Sequence, residues 1–346
     1  MTAINDSRFE HEVFLLTGIP GQETVYLWIS FPFCLIYSIS ILGNSFIVFV
    51  IGKDASIHEP MYILLSMLAV TDLGLSITTM LTTLPIFLLN SREISLDACF
   101  AQLYFIHSLS CTESSFLLFM SFDRLIAISD PLRYASILTP QRLAKMWLVC
   151  VLRGVALNLP LPILLKRFQY CRENILTHSC CTHGEVMRMA CSDVTVNVIY
   201  GLWNTLLTLG LDSLLIFLSY VMILKTVLSI TSKAQCLTAL NTCVSHLCAV
   251  LAFYMPYIGL TLMHRFGRSS SLVQIILGYI YLLFPPVMNP VVYSVKSKHL
   301  RMKMVRIFVN CHLLHSVYCR RDRRPKTQVK ASCSILHADI LTFEMT

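Results

Sequence analysis

The stretch from Tyr26 to Ile51, YLWISFPFCLIYSISILGNSFIVFVI, contains no Asp, Glu, Lys or Arg. A helix crossing a hydrocarbon core of ~30 Å needs ~20 apolar residues, and this run exceeds that. Further runs follow outward from it. They are Met61 to Asn90, broken only by Asp72; Phe100 to Phe122, holding Glu113; and Met146 to Leu165, holding Arg153. Then come Val194 to Leu224, holding Asp212, and the uncharged Ala234 to Met263 and Ser269 to Val295. None alternates as a barrel strand does, so the pattern predicts seven membrane helices. The expected fold class is an all-α seven-transmembrane bundle.

Composition agrees. The chain is 55% hydrophobic and 13% charged, with mean hydropathy +0.67, whereas soluble domains carry about 25% charged residues. The net charge of +8 lies wholly in the tail, because Lys296 to Thr346 holds 11 Lys and Arg against 3 acids. A basic tail suits anionic lipid on the cytoplasmic face, and its tether to apolar spans argues against nucleic acid as a partner. Met1 to Glu23 lacks a basic start followed by an apolar core, so the first span is expected to serve as its own insertion signal.

An odd number of crossings with the tail inside puts the N-terminus outside, where the sequon Asn5-Asp6-Ser7 becomes a glycosylation candidate. Lys166, Arg167, Arg172, Arg188, Arg265 and Arg268 then fall on the outer side, against the positive-inside tendency. Tail, sequon and cysteines outweigh them. Cys99, Cys171, Cys180, Cys181 and Cys191 lie outside, where disulfides persist, and spacing alone leaves their pairing open. The expected division is residues 1–24 outside, 25–296 in the bundle and 297–346 inside. In the last segment Leu300, Met304 and Phe308 stand four apart, as in a short amphipathic helix along the membrane, and Cys311 and Cys319 are palmitoylation candidates.

Five segments, in order and register, carry a resemblance. They are Ile57-His58-Glu59-Pro60-Met61-Tyr62; Met120 to Ser129 with Asp123-Arg124; Ala239 to Leu247; Phe253-Tyr254-Met255-Pro256; and Pro286 to Ser294, while the long loop Phe168 to Asp193 and His264-Arg265-Phe266-Gly267 carry the subclass. Gly43-Asn44 and Asp72 fit the wider rhodopsin-like superfamily. The chain resembles the class I (fish-like) odorant receptors from Phe9 to about Phe308.

The resemblance implies a small odorant, often a carboxylic acid in this class, and an olfactory stimulatory heterotrimeric G protein that raises cAMP. It implies disulfides Cys99–Cys181 and Cys171–Cys191, with Cys180 left over. It also implies that Arg124 leaves Asp123 on activation and swings toward Tyr220 and Tyr293. Leu125, Ser129 and Thr238 depart from the family pattern on the expected G-protein face.

Some site residues rest on chemistry as well. Arg265 offers a planar fork for a carboxylate, although an interfacial arginine also snorkels toward headgroups. Thr261 stands one helical turn before it. His107 stands 17 residues before Arg124, about 25 Å along a helix, which is pocket depth. Gly184 replaces a polar loop residue of relatives. Asp72 and Glu113, costly inside a membrane, are candidates to share a proton or a sodium ion with hydroxyls such as Ser115. Asp212 has no evident partner.

No phosphate loop, zinc motif or nucleophile elbow stands out, so an enzyme is not expected, and no retinal-linking lysine lies in the last span. The alternatives are a small-solute transporter, which would show paired repeats, and a family member with impaired coupling.

Overall fold

The computed structural model describes residues 13–19, 21–54, 59–170, 174–230, 233–266, 271–296 and 301–303. In chain order these form β1 (Val13–Leu16), α1 (Tyr26–Lys53), α2 (Pro60–Leu89), β2 (Glu93–Ser95), α3 (Leu96–Ser129) and the short α4 (Tyr134–Ile137). There follow α5 (Pro140–Asn158), α6 (Pro160–Leu165), β3 (Ile175–Leu176), α7 (His183–Arg188) and α8 (Thr195–Thr205). A π-helical turn over Leu206–Leu211 joins α8 to α9 (Asp212–Ser229), and α10 (Lys233–Phe266) and α11 (Ser271–Lys296) complete the bundle.

Six helical segments are long and apolar enough to cross a membrane, with α5–α6 and α8–α9 each counting as one. The seventh crossing is α3, 34 residues long. It misses the apolar criterion because it is the central helix, packed against α2, α5, α9 and α10. Its Ser108, Ser110, Thr112, Glu113, Ser114 and Ser115 are buried among neighbours and do not face lipid.

The bundle is apolar outside and partly polar inside. Trp28, Phe31, Leu81 and Phe217 stand 60–80% exposed on outward faces, as lipid-facing side chains do. Small polar residues join the helices within. Ser40 meets Ser76 at 2.6 Å, and Asn204 donates to Asn158 at 2.8 Å. Pro290 has no N–H to offer the Pro286 carbonyl one turn earlier. That carbonyl instead accepts Asn44 Nδ2 at 2.8 Å and Ser40 Oγ at 3.2 Å from α1. Gly43 allows the approach, since a Cβ there would stand 3.0 Å from the Pro290 ring.

The helix ends follow ordinary capping chemistry. Pro60 and Pro140 occupy first-turn positions, where a missing N–H costs nothing. Ser95 caps α3 through Ala98 N, and Asn90 ends α2 in the left-handed region at φ 52°.

At the same end of the bundle lies a three-stranded sheet, ordered β2-β1-β3, which the apolar runs did not foretell. β1 runs antiparallel to β2 (Val13↔Ser95) and parallel to β3 (Leu15↔Ile175). Phe14 and Leu16 alternate inward, and the Phe14 ring meets Tyr170 edge-on at 5.3 Å. Tyr26 hydroxyl donates to the Thr17 carbonyl, fixing the strand to the top of α1. Cys99–Cys181 is a disulfide, and Cys180 is a buried free thiol. Cys191 is also disulfide-bonded; Cys171 lies outside the described residues.

Candidate functional site

The long loop before α8 does not stand over the bundle; it dips into it. Cys181, bonded to the first turn of α3, donates its N–H to Gln102 Oε1 at 2.9 Å. Gln102 in turn donates to Thr78 O and Thr82 Oγ1 of α2, and Ser179 meets Thr83 at 3.1 Å. Thus anchored, the loop roofs a cavity of about 580 Å³ lined by α3, α8, α10 and α11.

His107 and Thr261, both expected at the pocket, line it, as does Gly184. Arg265 belongs to the last turn of α10, and its side chain lies outside the described residues. The described cationic side chain at the cavity is Arg188, paired with buried Glu185 at 3.1 Å. Burial acts to raise the Glu185 pKa. Hydrogen bonds from Thr177, with His178 and Arg188 close by, outweigh it and hold the carboxyl below its ordinary value.

Two loop histidines join His107. The backbone N–H of His183 donates to His107 Nε2 at 3.4 Å, so the proton of a neutral His107 ring belongs on Nδ1. Burial, with His107 adding, drives the His183 imidazole down to about 3, and burial lowers His178 as well. Both are therefore uncharged at neutral pH. Each ring sits against a glycine: a Cβ on Gly201 would stand 3.1 Å from His183, and one on Gly278 3.6 Å from His178. Thr182 Oγ1, His183 Nε2, Asn197 Nδ2, Asn204 Oδ1, Tyr279 OH and both His178 nitrogens are buried without a hydrogen bond of good geometry to the protein, and all six residues line the cavity.

Beneath the cavity lies a polar centre that supplies the partner Asp212 lacked. Arg153 Nη1 reaches Asp212 Oδ2 and Ser115 Oγ, each at 2.8 Å. The π-helical turn leaves carbonyls out of the regular ladder. One of them, Leu207 O, takes Arg153 Nη2 at 3.0 Å, and another, Thr208 O, takes Ser114 Oγ at 3.2 Å. The Ser114 proton is shared between that carbonyl and Asp212 Oδ2, the shorter contact at 2.7 Å, which leaves Ser114 Oγ to accept from Tyr254 OH at 2.8 Å. Four helices, α3, α5, α9 and α10, thereby share one network.

Ser115 belongs to this network, which corrects its expected place beside Asp72 and Glu113: its hydroxyl donates to Cys111 O and accepts from Arg153. Asn289 takes the expected position instead, donating to Asp72 Oδ2 at 2.9 Å and facing Glu113. Asp72 Oδ1, Glu113 Oε1 and Asn289 Oδ1 are buried oxygens without a protein partner. Such an all-oxygen set fits a hard cation or a shared proton.

At the opposite end Arg124 Nη2 pairs with Asp123 Oδ2 at 2.5 Å, and Tyr134 OH donates to Asp123 Oδ1 at 2.6 Å. Tyr220 is engaged by His246 Nδ1 at 2.7 Å, and Tyr293 OH is buried without a partner. His246 Nε2 donates to Leu117 O at 3.0 Å, so one ring joins α3, α9 and α10. Ile223, Val227 and Cys243, with Leu125 and Ile128 against them, form an apolar cluster where α3, α9 and α10 meet. Asn5, Cys311, Cys319 and the side chain of Thr238 lie outside the described residues, as does 297–346 apart from one helical turn at 301–303.

Sequence reasoning missed Arg153, Ser114, Tyr254, Asn197, His178, His183 and His246. The one advance signal was the isolated charge of Arg153, unaffordable in lipid without a partner such as Asp212.

Comparison with known proteins completes the picture. A family profile described as "Olfactory receptor" matches residues 33–311. Human "Olfactory receptor 51G2" is 55% identical over 305 residues, covering 88% of this chain and 97% of the relative. Human "Olfactory receptor 51G1" is 54% identical over 309 residues (89% and 96%), and mouse "Olfactory receptor 51E2" is 45% identical over 310 (89% and 97%). With a seven-helix bundle and a loop disulfide in place, the chain belongs to the olfactory receptor family of G-protein-coupled receptors.

Proposed function

We propose that the chain binds a small odorant, a carboxylic acid by preference, in the loop-roofed cavity and activates an olfactory stimulatory G protein to raise cAMP. The observation that carries this reading is the continuity from cavity to network. Tyr257, Thr261 and Leu260 of α10 line the cavity, and Tyr254, one turn deeper on the same helix, is hydrogen-bonded to Ser114 beside the Arg153–Asp212 pair.

A ligand against α10 then biases that network between two arrangements, only as far as it binds one of them better. In the other arrangement Arg124 leaves Asp123 and takes up Tyr220 and Tyr293, while α10 moves away to admit the G protein. Asp72, Glu113 and Asn289 hold a sodium ion or a proton that favours the resting packing. The N-terminus faces outward with Asn5 glycosylated, the cavity opens to the outside, and the basic tail lies inside against plasma-membrane lipid. Arg265, at the end of α10, clasps the ligand carboxylate, with His107 and Thr261 beside it.

The test is cAMP output in cells supplied with the stimulatory G protein and exposed to aliphatic acids, alcohols and aldehydes, with Arg265→Ala beside the native chain and surface staining of both. An acid response lost at equal surface level supports the clasp; one that survives removes Arg265 from the site. Silence of a surface-expressed native chain across the panel counts against the coupling proposed.

A further inference from the structure

The cavity has a polar group at two places. On the α8 side the His183 ring, its Nε2 unpartnered, sits beside Gly201, and Asn197 Nδ2 lies one turn earlier on that helix. On the α11 side stand His178, beside Gly278, and the Tyr279 hydroxyl; neither makes a hydrogen bond of good geometry to the protein, although the Thr177 backbone and the Ser179 side chain respectively lie within reach. His178, His183 and Asn197 are each more than nine-tenths buried and all line the same space. The wall also contains Ile106, Leu260 and Ile275, which offer no hydrogen bond.

The expected acid site adjoins the first of these places, since His107 accepts the His183 backbone N–H, and leaves the second unaccounted for. A ligand with a single polar group leaves the second set buried and unpaired, and an unmet buried polar group costs more than a made hydrogen bond gains. A site built with such a group therefore discriminates strongly against analogues that do not fill it. A neutral imidazole offers one donor and one acceptor, so His178 can receive a hydroxyl, a carbonyl or a carboxyl. A volume of about 580 Å³ exceeds what a short acid fills.

We propose that the ligand is bifunctional, with polar groups at both ends of an apolar body, and that His178 is the residue that reads the second group. This rests on the odorant-binding reading above and narrows its ligand class. Gly201 keeps the first place open, since a Cβ there would stand 3.1 Å from the His183 ring, whereas one at Gly278 would only touch His178 at ordinary contact distance.

The experiment uses the full chain, purified in detergent for thermal melting and expressed in cells for cAMP. The probes share one chain length: nonanoic acid and nonanol carry one polar end, while azelaic acid, its monomethyl ester and nonanediol carry two. The expected result is a rise in Tm with two-ended probes and a potency roughly tenfold above the one-ended probes, the factor for about one buried hydrogen bond. In His178→Leu this margin disappears, and His178→Asn restores part of it. Because neither ring nitrogen of His178 closes a hydrogen bond of good geometry within the protein, the ligand-free His178→Leu chain should melt close to the native chain.

Equal potency of one-ended and two-ended probes on the native chain overturns the proposal, whether or not the variant folds. A margin that persists in His178→Leu overturns the role of His178, and a native chain whose Tm no two-ended probe raises overturns the ligand class. Two-ended probes that raise Tm without cAMP leave the inference standing and refute the coupling. A cAMP response equal for both probe types does the reverse.

Discussion

At the scale of the residue, the decisive object is a charge pair inside the membrane. Asp212 is almost fully buried, and the Arg153 side chain is 24% exposed. Each is tolerable only because the other, two serines and a freed carbonyl satisfy it. Removing one partner strands the other. Asp212→Asn should therefore lower stability by about 3–5 kcal/mol, read as a lower Tm in detergent and a smaller surface fraction. Replacing both residues together with Leu should cost less than the sum of the two single changes. If Asp212→Asn melts with the native chain, the pair is not what holds α5 to α9. Asp72 and Glu113 show the other solution, with carboxyl oxygens beside an asparagine and no cation among the described residues close enough to pair with them.

At the scale of the element, close approach decides more than apolarity. Gly154 of α5 packs directly on the α3 backbone: a Cβ there would stand 2.3 Å from Thr112 Oγ1 and 2.6 Å from Ser108 O. Neither atom can yield cheaply, because Thr112 is itself bonded to that carbonyl at 2.8 Å. Gly154→Ala should force α5 outward and cost about 1–3 kcal/mol, measured as a fall in Tm, and Gly154→Leu more. A native-like Tm for Gly154→Ala would mean that α5 slides freely over α3. The displacement would also pull Arg153, its neighbour in sequence, away from Asp212. The π-helical turn works in the same way: an extra residue per turn over Leu206–Leu211 turns Asp212 inward and offers two carbonyls to neighbours. The run Val194 to Leu224 shows apolarity; it carries no mark of where the ladder loosens.

At the scale of the whole molecule, the proposed coupling joins two layers of contact: the network around Asp212 below the cavity, and the His246 hydrogen bonds with the apolar cluster at the far end. α10 passes through both. His246→Phe keeps an aromatic ring and removes both hydrogen bonds, each worth about 1–2 kcal/mol inside a membrane. If those bonds hold the resting arrangement, ligand-free cAMP at equal surface level should rise roughly tenfold. Unchanged or lower basal output would show that His246 does not restrain α10.

The chain's own order of residues settled a good deal before any packing was known. Seven apolar runs without strand alternation dictate a bundle of membrane helices, because lipid admits only helices and closed barrels, and the motif residues at 43–44, 123–124 and 286–290 carry the resemblance that gave the family. His107 was legible as a pocket residue from its depth along a helix of constant rise, and Thr261 from standing one turn before Arg265. Pairings between distant segments were not legible. Ser115 pairs with Arg153 and not with the carboxyls, Asp212 answers a charge 59 positions earlier, and a strand at 13–16 forms a sheet with 93–95 and 175–176. Periodicity reports which face of a helix is apolar. Which polar group meets which depends on how helices rotate and approach one another, down to one missing Cβ, and the folded bundle alone decides that.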